Sequence, residues 1–402
     1  MNGLRVALLF GVCIALLCPM EMRSQDLTHK LAPALSLARD RLRQMVIAYG
    51  DSVRYPRSIL PNGQWRTVRP TDWTSGFFPG CLWQMAGITR DSFFLRAAER
   101  WTNGLESVQT YDGSHDIGFI MVCSFGNAQR VEPCPEYRTV LLQSARTLLT
   151  RYNPTVGCIR SWDNRKWEFP VIIDNMMNLE LLFWASQHGG TRAMYDAAVS
   201  HAERTMKNHI RPDGSTYHVV DYDTLTGRVL AKNTHQGASD SSTWSRGQAW
   251  AIYGFTMAYR YSHEGEFLAT AVRVADAFLR RLPADHVPYW DFDTPGIPNE
   301  PRDASAGAVA ASGLLELSSF IEDEVLRRRY GDAAVSILLA LAQAPYLQTA
   351  DGSRGILGHS TGSKPAASEV DTDLIYGDYY FIEAMRRALA LEGAANQTES
   401  VR

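Results

Sequence analysis

The feature that most constrains this chain is an alternation of two kinds of helix. Apolar residues recur at helical spacing through Leu31, Leu35, Ala38, Leu42, Met45 and Tyr49, and again through Leu268, Val272, Ala275, Leu279 and Leu282. Followed to its end, the pattern predicts about twelve helical segments, near 29–49, 74–87, 90–110, 116–127, 135–152, 174–188, 191–209, 245–262, 265–282, 304–320, 322–343 and 372–392. Breakers such as "RPTD", "CPEY" and "HEGE" separate them. Strand-like material is confined to short pieces such as "STYHVVDYD", read as a hairpin within a connection.

Every second segment opens with a polar or aromatic cluster and then turns small and apolar: "DWTSGFFPG", "HDIGF", "DNMMNLELLFW", "WSRGQAWAIYGF", "DASAGAVAASGLLEL" and "DTDLIYGDYYF". The others are amphipathic and more charged, as in "RVADAFLRRL". Helices that are apolar nearly all round sit inside, and amphipathic ones sit outside. Six inner and six outer helices in alternation describe an all-α fold, an (α/α)6 barrel. Its inner helices all run the same way, so their polar heads gather at one end. No Pro/Gly/Ser-rich linker or charge block divides the chain, and residues 25–402 read as one domain.

Residues 1–24 read as an export signal: Arg5 is the positive n-region, Val6 to Leu17 the apolar h-region, and Ser24 ends the cleavage zone. That stretch is too short to span a membrane, and no later segment is long enough. Cys18 raises a lipoprotein alternative, which the large Leu17 before it disfavours. An exported, periplasmic protein is expected. With the signal removed, Cys81, Cys123, Cys134 and Cys158 remain, in no metal-binding spacing, and are read as buried thiols. A net charge of −3 argues against nucleic acid or an anionic membrane surface as the partner.

Two aspartates at inner-helix heads stand out, Asp116 in "SHDIGF" and Asp174 in "IIDNMMN". Aspartate is a preferred N-cap, so capping is the competing explanation for each alone. For Asp303 and Asp371, which also head inner helices, capping is accepted. Asp116 and Asp174 head successive inner helices, and opposed carboxyls are what glycosidic chemistry uses, one protonated and one ionised. Ile172, Ile173, Met176 and Met177 around Asp174 would raise its pKa. Nearby, "THQGASDSSTWSRGQAW" supplies His235, Gln236, Trp244, Arg246, Gln248 and Trp250. Indole faces suit pyranose rings, and an arginine fork can grip a carboxylate. "YGDYYFIEAM" is read as packing. No HExxH, phosphate-binding loop or serine-nucleophile elbow appears.

Together "DWTSGFFPG", "HDIGF", "IIDNMMNLELLFWAS", "THQG" and "WSRGQAWAIYGF" resemble the unsaturated glucuronyl hydrolases, glycoside hydrolase family 88, over about residues 30 to 390. The resemblance implies an (α/α)6 barrel and no metal or organic cofactor. It implies a partner class, oligosaccharides bearing a 4,5-unsaturated uronic acid at the non-reducing end, and hydration of that vinyl ether. By the same resemblance Asp174 is the general acid that protonates C4 and then activates water, and Asp116 is its partner. His115, His218, Gln236 and Arg246 are substrate contacts, and Trp73, Trp244 and Trp250 are walls of the pocket. Ser360, Ser363 and Lys364 in "HSTGSKPAA" resemble a sulfate-contacting stretch of some members, with altered spacing. Glycosaminoglycan disaccharides are therefore the expected substrates. The alternatives are an unsaturated rhamnogalacturonyl hydrolase acting on pectin fragments and a non-catalytic glycan-binding barrel.

Overall fold

Helices apolar on every side bury themselves completely, and here they make the inner ring of a barrel. In the computed structural model, which describes residues 20–350 and 352–399, the inner ring runs α2 (Phe77–Thr89), α4 (Ile117–Met121) with α5 (Asn127–Val131), α7 (Asn175–Gln187), α9 (Ser245–Ser262), α11 (Ala304–Phe320) and α13 (Ile375–Glu399). A π-helical turn, Val122–Gly126, joins α4 and α5 into one rod. The outer ring is α1 (Met20–Tyr49), α3 (Ser92–Asn103), α6 (Pro135–Leu149), α8 (Arg192–Asn208), α10 (Gly265–Arg281) and α12 (Glu324–Leu341). Each inner helix packs against the next, and α13 returns to α2 to close the ring. This is the predicted (α/α)6 barrel. The export signal falls on residues 1–19, outside the described residues, and on the opening residues of α1.

Close approach between inner helices depends on missing side chains. A Cβ on Gly118 would lie 2.5 Å from the Asn178 Cα, so α4 and α7 touch backbone to backbone there. That contact brings the heads of the two helices together.

Short strands decorate the end where the inner helices begin. A hairpin of β1 (Tyr55–Ile59) and β2 (Trp65–Val68) precedes α2, and β3 (Tyr152–Asn153) pairs with β4 (Cys158–Ile159). A three-stranded antiparallel sheet has β6 (Val219–Tyr222) between β5 (Pro170–Ile172) and β7 (Val229–Asn233). The predicted "STYHVVDYD" hairpin is thus the central strand of a sheet.

Along the barrel axis lie two further tiers. First comes an aromatic plug. Phe77 contacts Phe119, Tyr376, Tyr379 and Tyr380 with ring centroids 5.4–6.0 Å apart, and Trp250 meets Phe119 and Tyr380 at 5.3 Å. These are tilted and edge-to-face geometries, which aromatic quadrupoles favour. Below it, Arg130, Glu180, Arg260, Glu316 and Arg387 form a chain of ion pairs at 2.5–2.8 Å, linking α5, α7, α9, α11 and α13. Glu383 extends it, 3.7 Å from Arg387, and its Oε2 accepts from the Ser312 hydroxyl at 2.7 Å.

The four cysteines beyond the export signal are free, three of them buried, and the Cys134 sulfur caps α6 by accepting from Tyr137 N. Asp303 caps α11 as expected, accepting from Ser305 N and Ala306 N. Asp371 does not cap: α13 starts only at Ile375, and Asp371 pairs instead with His359 Nδ1 at 2.6 Å.

Candidate active site

The three-stranded sheet sets the geometry of the catalytic candidates. Ile172 pairs with Val219 in the antiparallel register, and Ile173 N donates to His218 O at 2.9 Å. One residue further on, Asp174 leaves the sheet beside His218 and begins α7. Its side chain makes no cap bond. Burial in apolar surroundings therefore goes uncompensated at Oδ2, which has no hydrogen-bond partner. The carboxyl pKa rises to about 7. Burial drives it up, opposed mainly by Arg246, with the nearby Asp116 charge adding to the rise.

His218 faces that carboxyl, its Nε2 3.7 Å from Asp174 Oδ2. After β7 the chain turns so that His235 N and Gln236 N both donate to His218 Nδ1 at 3.1 Å. With Nδ1 accepting twice, the proton sits on Nε2, on the side of the Asp174 carboxyl. Burial, with the charges of His235 and Arg246, holds the ring's pKa well below its ordinary value, so it is a neutral donor. Trp244 stacks behind it, ring centroids 4.6 Å apart.

Asp116 heads α4 and likewise makes no cap bond. Its Oδ1 lies 3.2 Å from His115 Nε2 and accepts a long bond, 3.5 Å, from Asn178 Nδ2. Ser114 Oγ donates to Oδ2 at 3.3 Å. Asn178 also accepts from Phe119 N at 2.7 Å, locking the first turn of α4 to α7. Burial pushes the His115 pKa down, against the pull of Asp116. His115 is fully buried behind Asp116.

These groups open into a cavity of about 280 Å³ lined by Asp116, Asp174, Trp73, Trp162, Gln236 and Arg246, with Arg57, His235, Ser363, Glu369 and Tyr376 completing the wall. A volume of that order suits one sugar ring. Trp73 and Trp162 supply the indole faces. Trp162 meets His235 edge-on at 5.1 Å, and Trp73 lies against Tyr376 at 4.9 Å.

Several expected site residues take other places. Trp244 and Trp250 are buried, 3% and 1% exposed, with their faces covered by His218, Arg246, Phe119 and Tyr380. They support the pocket and do not wall it. Arg246 reaches the cavity, but its fork is already occupied. Nη1 donates to Asp303 Oδ2 and Thr361 O, and Nη2 donates to Gly362 O, at 2.5–2.6 Å. Its work is to clamp the loop at 361–362 and to hold a fixed positive charge near Asp174. Gln236 Nε2 holds Gly362 O as well, at 3.0 Å. Of the stretch read as a sulfate contact, Ser363 lines the cavity, Ser360 is buried, and Lys364 pairs with Glu300. Lys364 therefore already has its anion.

His235 reaches the cavity from the stretch that supplies Gln236, whereas nothing local in the sequence marks Arg57, Trp162, Glu369 and Tyr376 as site residues. Tyr376, in the run read as packing, does pack, yet one part of it also meets the cavity. Arg57 makes a bidentate pair with Glu369 at 2.7 and 2.9 Å and reaches Asp72 at 3.1 Å. This tight network at the mouth joins β1 to the loop before α13.

A closed ring of inner helices that gathers a buried carboxyl, a second carboxyl, a neutral imidazole donor and indole faces around space for one sugar is a glycosidase architecture. Comparison with known proteins agrees: the sequence pattern of Glycosyl Hydrolase Family 88 matches residues 48–387. The chain belongs to that family and is a glycoside hydrolase.

An unsaturated glucuronyl hydrolase of Formosa agariphila is 45% identical over 88% of this chain and 89% of its own length. An unsaturated chondroitin disaccharide hydrolase of Streptococcus pyogenes serotype M1 is 32% identical over 91% and 92%. Among solved structures, an unsaturated glucuronyl hydrolase specific for heparin superposes with a TM-score of 0.88 at 42% identity, over 91% of this chain and 98% of that one.

Proposed function

We propose that this chain removes 4,5-unsaturated glucuronic acid from the non-reducing end of lyase-generated oligosaccharides, with glycosaminoglycan disaccharides as its substrate class. The observation that carries the reading is Asp174: a helix-head aspartate that caps nothing, has an oxygen without a donor, and holds its proton up to about pH 7. A carboxylic acid still protonated near neutrality is a proton donor. In the reaction, Asp174 gives its proton to C4 of the vinyl ether. The Asp174 carboxylate so formed takes a proton from water as the water oxygen bonds to C5. The resulting hemiketal opens, and the remaining sugar leaves. Asp116 orients the ring and keeps the Asp174 proton in place by its charge. His218 Nε2–H holds the water or a ring oxygen, and Trp73 and Trp162 flank the ring. Relatives described as acting on heparin or chondroitin fragments support the substrate class.

Export through residues 1–24 and periplasmic action belong to the same proposal, supported by the charged and apolar pattern of that segment. Residues 25–402 would then be one catalytic domain, consistent with a main core cluster from Leu31 to Ala388 and two small clusters around the β5–β7 sheet.

The conjugated double bond of the substrate absorbs in the ultraviolet and is destroyed by hydration. Incubating the protein with an unsaturated chondroitin disaccharide should lower the absorbance, and Asp174→Asn should stop the fall. Undiminished absorbance with chondroitin, heparin and hyaluronan disaccharides alike would reject the reading.

A further inference from the structure

A second groove lies on the other side of the β1–β2 hairpin. Strand alternation separates the two sites. Arg66, on one face of β2, points to Glu369 of the catalytic cavity at 3.5 Å, while its neighbours Trp65 and Thr67 line the second groove. The C-terminal part of α1 and the segment around Arg354 form the opposite wall, and the space between has a volume of about 680 Å³. That is more than twice the catalytic cavity, within the range of ligand sites.

The chemistry of this groove is one-sided. Arg41, Arg54 and Arg354 line it, and no described lining residue is acidic. Three buried polar atoms around it have no hydrogen-bond partner: Arg41 Nε, Tyr49 Oη and Trp65 Nε1. Each can donate a hydrogen bond. A buried donor left without an acceptor is unfavourable, and a small side-chain rotation toward the groove would let an occupant rich in oxygen acceptors satisfy it. Arg41 is held in position by Gln348 O and Ala350 O at 3.2 and 3.3 Å. Arg54 and Arg354 line the groove together with Tyr49, and both charges pull against the burial that raises its hydroxyl's pKa.

We propose that this groove is a second saccharide site, which binds an internal stretch of an acidic glycan through guanidinium groups, Tyr49 and the indole of Trp65. The identity of the glycan rests on the activity proposed above. Anionic groups would meet the arginines, and hydroxyls would take the unused donors. The groove would hold a chain of several residues near an enzyme whose catalytic cavity takes only the terminal sugar. Carboxylate and sulfate are the two sources of the anion.

The test is calorimetric titration of the full chain with a saturated chondroitin hexasaccharide, prepared with and without sulfate. Such a chain has no double bond to hydrate. The double variant Arg54→Gln/Arg354→Gln should bind at least about tenfold more weakly, and Trp65→Phe should fall between it and the parent. Turnover of an unsaturated disaccharide should stay within about twofold in both variants. Tighter binding of the sulfated chain would assign the arginines to sulfate, and equal binding to carboxylate. Equal affinity of parent and double variant would overturn the proposal, as would equal binding of neutral maltohexaose. If no unsaturated disaccharide were turned over, the activity proposed above would fall, while the groove would still be judged by the hexasaccharide titration.

Discussion

Asp174 at the helix heads and the glutamates at the far end of the barrel respond to burial in opposite ways. At the helix heads, Asp174 Oδ2 and His218 Nε2 are buried and without hydrogen-bond partners. Toward the helix C-termini, three arginines and three glutamates are paired, all but Arg387–Glu383 from helix to helix. There, burial raises the Glu316 and Glu383 pKa values, but Arg387, the neighbouring arginines and their hydrogen bonds together outweigh it and leave both below the ordinary carboxylate value. The same burial without a close-fitting cation moves Asp174 the other way. Desolvation is common to both ends, and the partner decides whether a carboxyl becomes a strut or an acid.

The sharpest way to break this comparison is to remove the acid. Asp174→Asn should cut turnover by more than about a thousandfold, the scale of lost acid–base catalysis, while disaccharide affinity changes less than about tenfold. Stopped-assay rates beside titration would check both halves. Next comes the strut. Glu316→Ala leaves Arg260 and Arg387 without their shared carboxylate and should cost about 3–5 kcal/mol of stability, measured by urea unfolding. The fraction that stays folded should keep its kcat.

The pH axis divides the ends too. The folded-state pKa of Asp174, about 7, lies above its ordinary 3.8. The native state therefore holds that proton more tightly, and its stabilising effect is complete below about pH 4 and lost as pH rises toward 7. Asp174→Asn should consequently be more stable than the parent at pH 8, by on the order of a few kcal/mol at most, seen as a higher Tm, and should make little difference at pH 4. Scanning calorimetry at the two pH values would check this. The parent's kcat/KM should fall as pH rises through about 7, because the donor loses its proton. A smaller effect is expected at the wall: Trp162→Ala should raise KM by about tenfold, the loss of one indole face, with kcat less affected. The smallest is Lys364→Ala, within about twofold on an unsulfated disaccharide, since its charge already belongs to Glu300.

How much of this was legible in the sequence follows from how local each feature is. The twelve-helix alternation was readable because burial on all sides or on one side is written in each segment's own composition. Asp116 and Asp174 were readable because an acid before an apolar run is a local anomaly. Arg246 lines the cavity, but its fork is taken by Asp303 on the next inner helix, a partner that nothing local in the sequence announces. Trp244 and Trp250 read as walls because nothing in a sequence distinguishes an indole facing a pocket from one covered by a neighbouring ring. Trp162 and Arg57 were missed for the opposite reason. They arrive on a connection and a hairpin whose folding over the helix heads depends on distant partners such as Glu369.

The aromatic plug has a consequence for traffic. With Phe77, Phe119, Trp250 and Tyr380 filling the axis beneath the cavity, and the ionic ring below them, the barrel is a cul-de-sac. Whatever enters must back out through the same doorway. Such a dead end admits chain tips and turns away chain interiors. The freed monosaccharide must also vacate before another tip can enter, so accumulated product competes directly with fresh substrate for the single entrance.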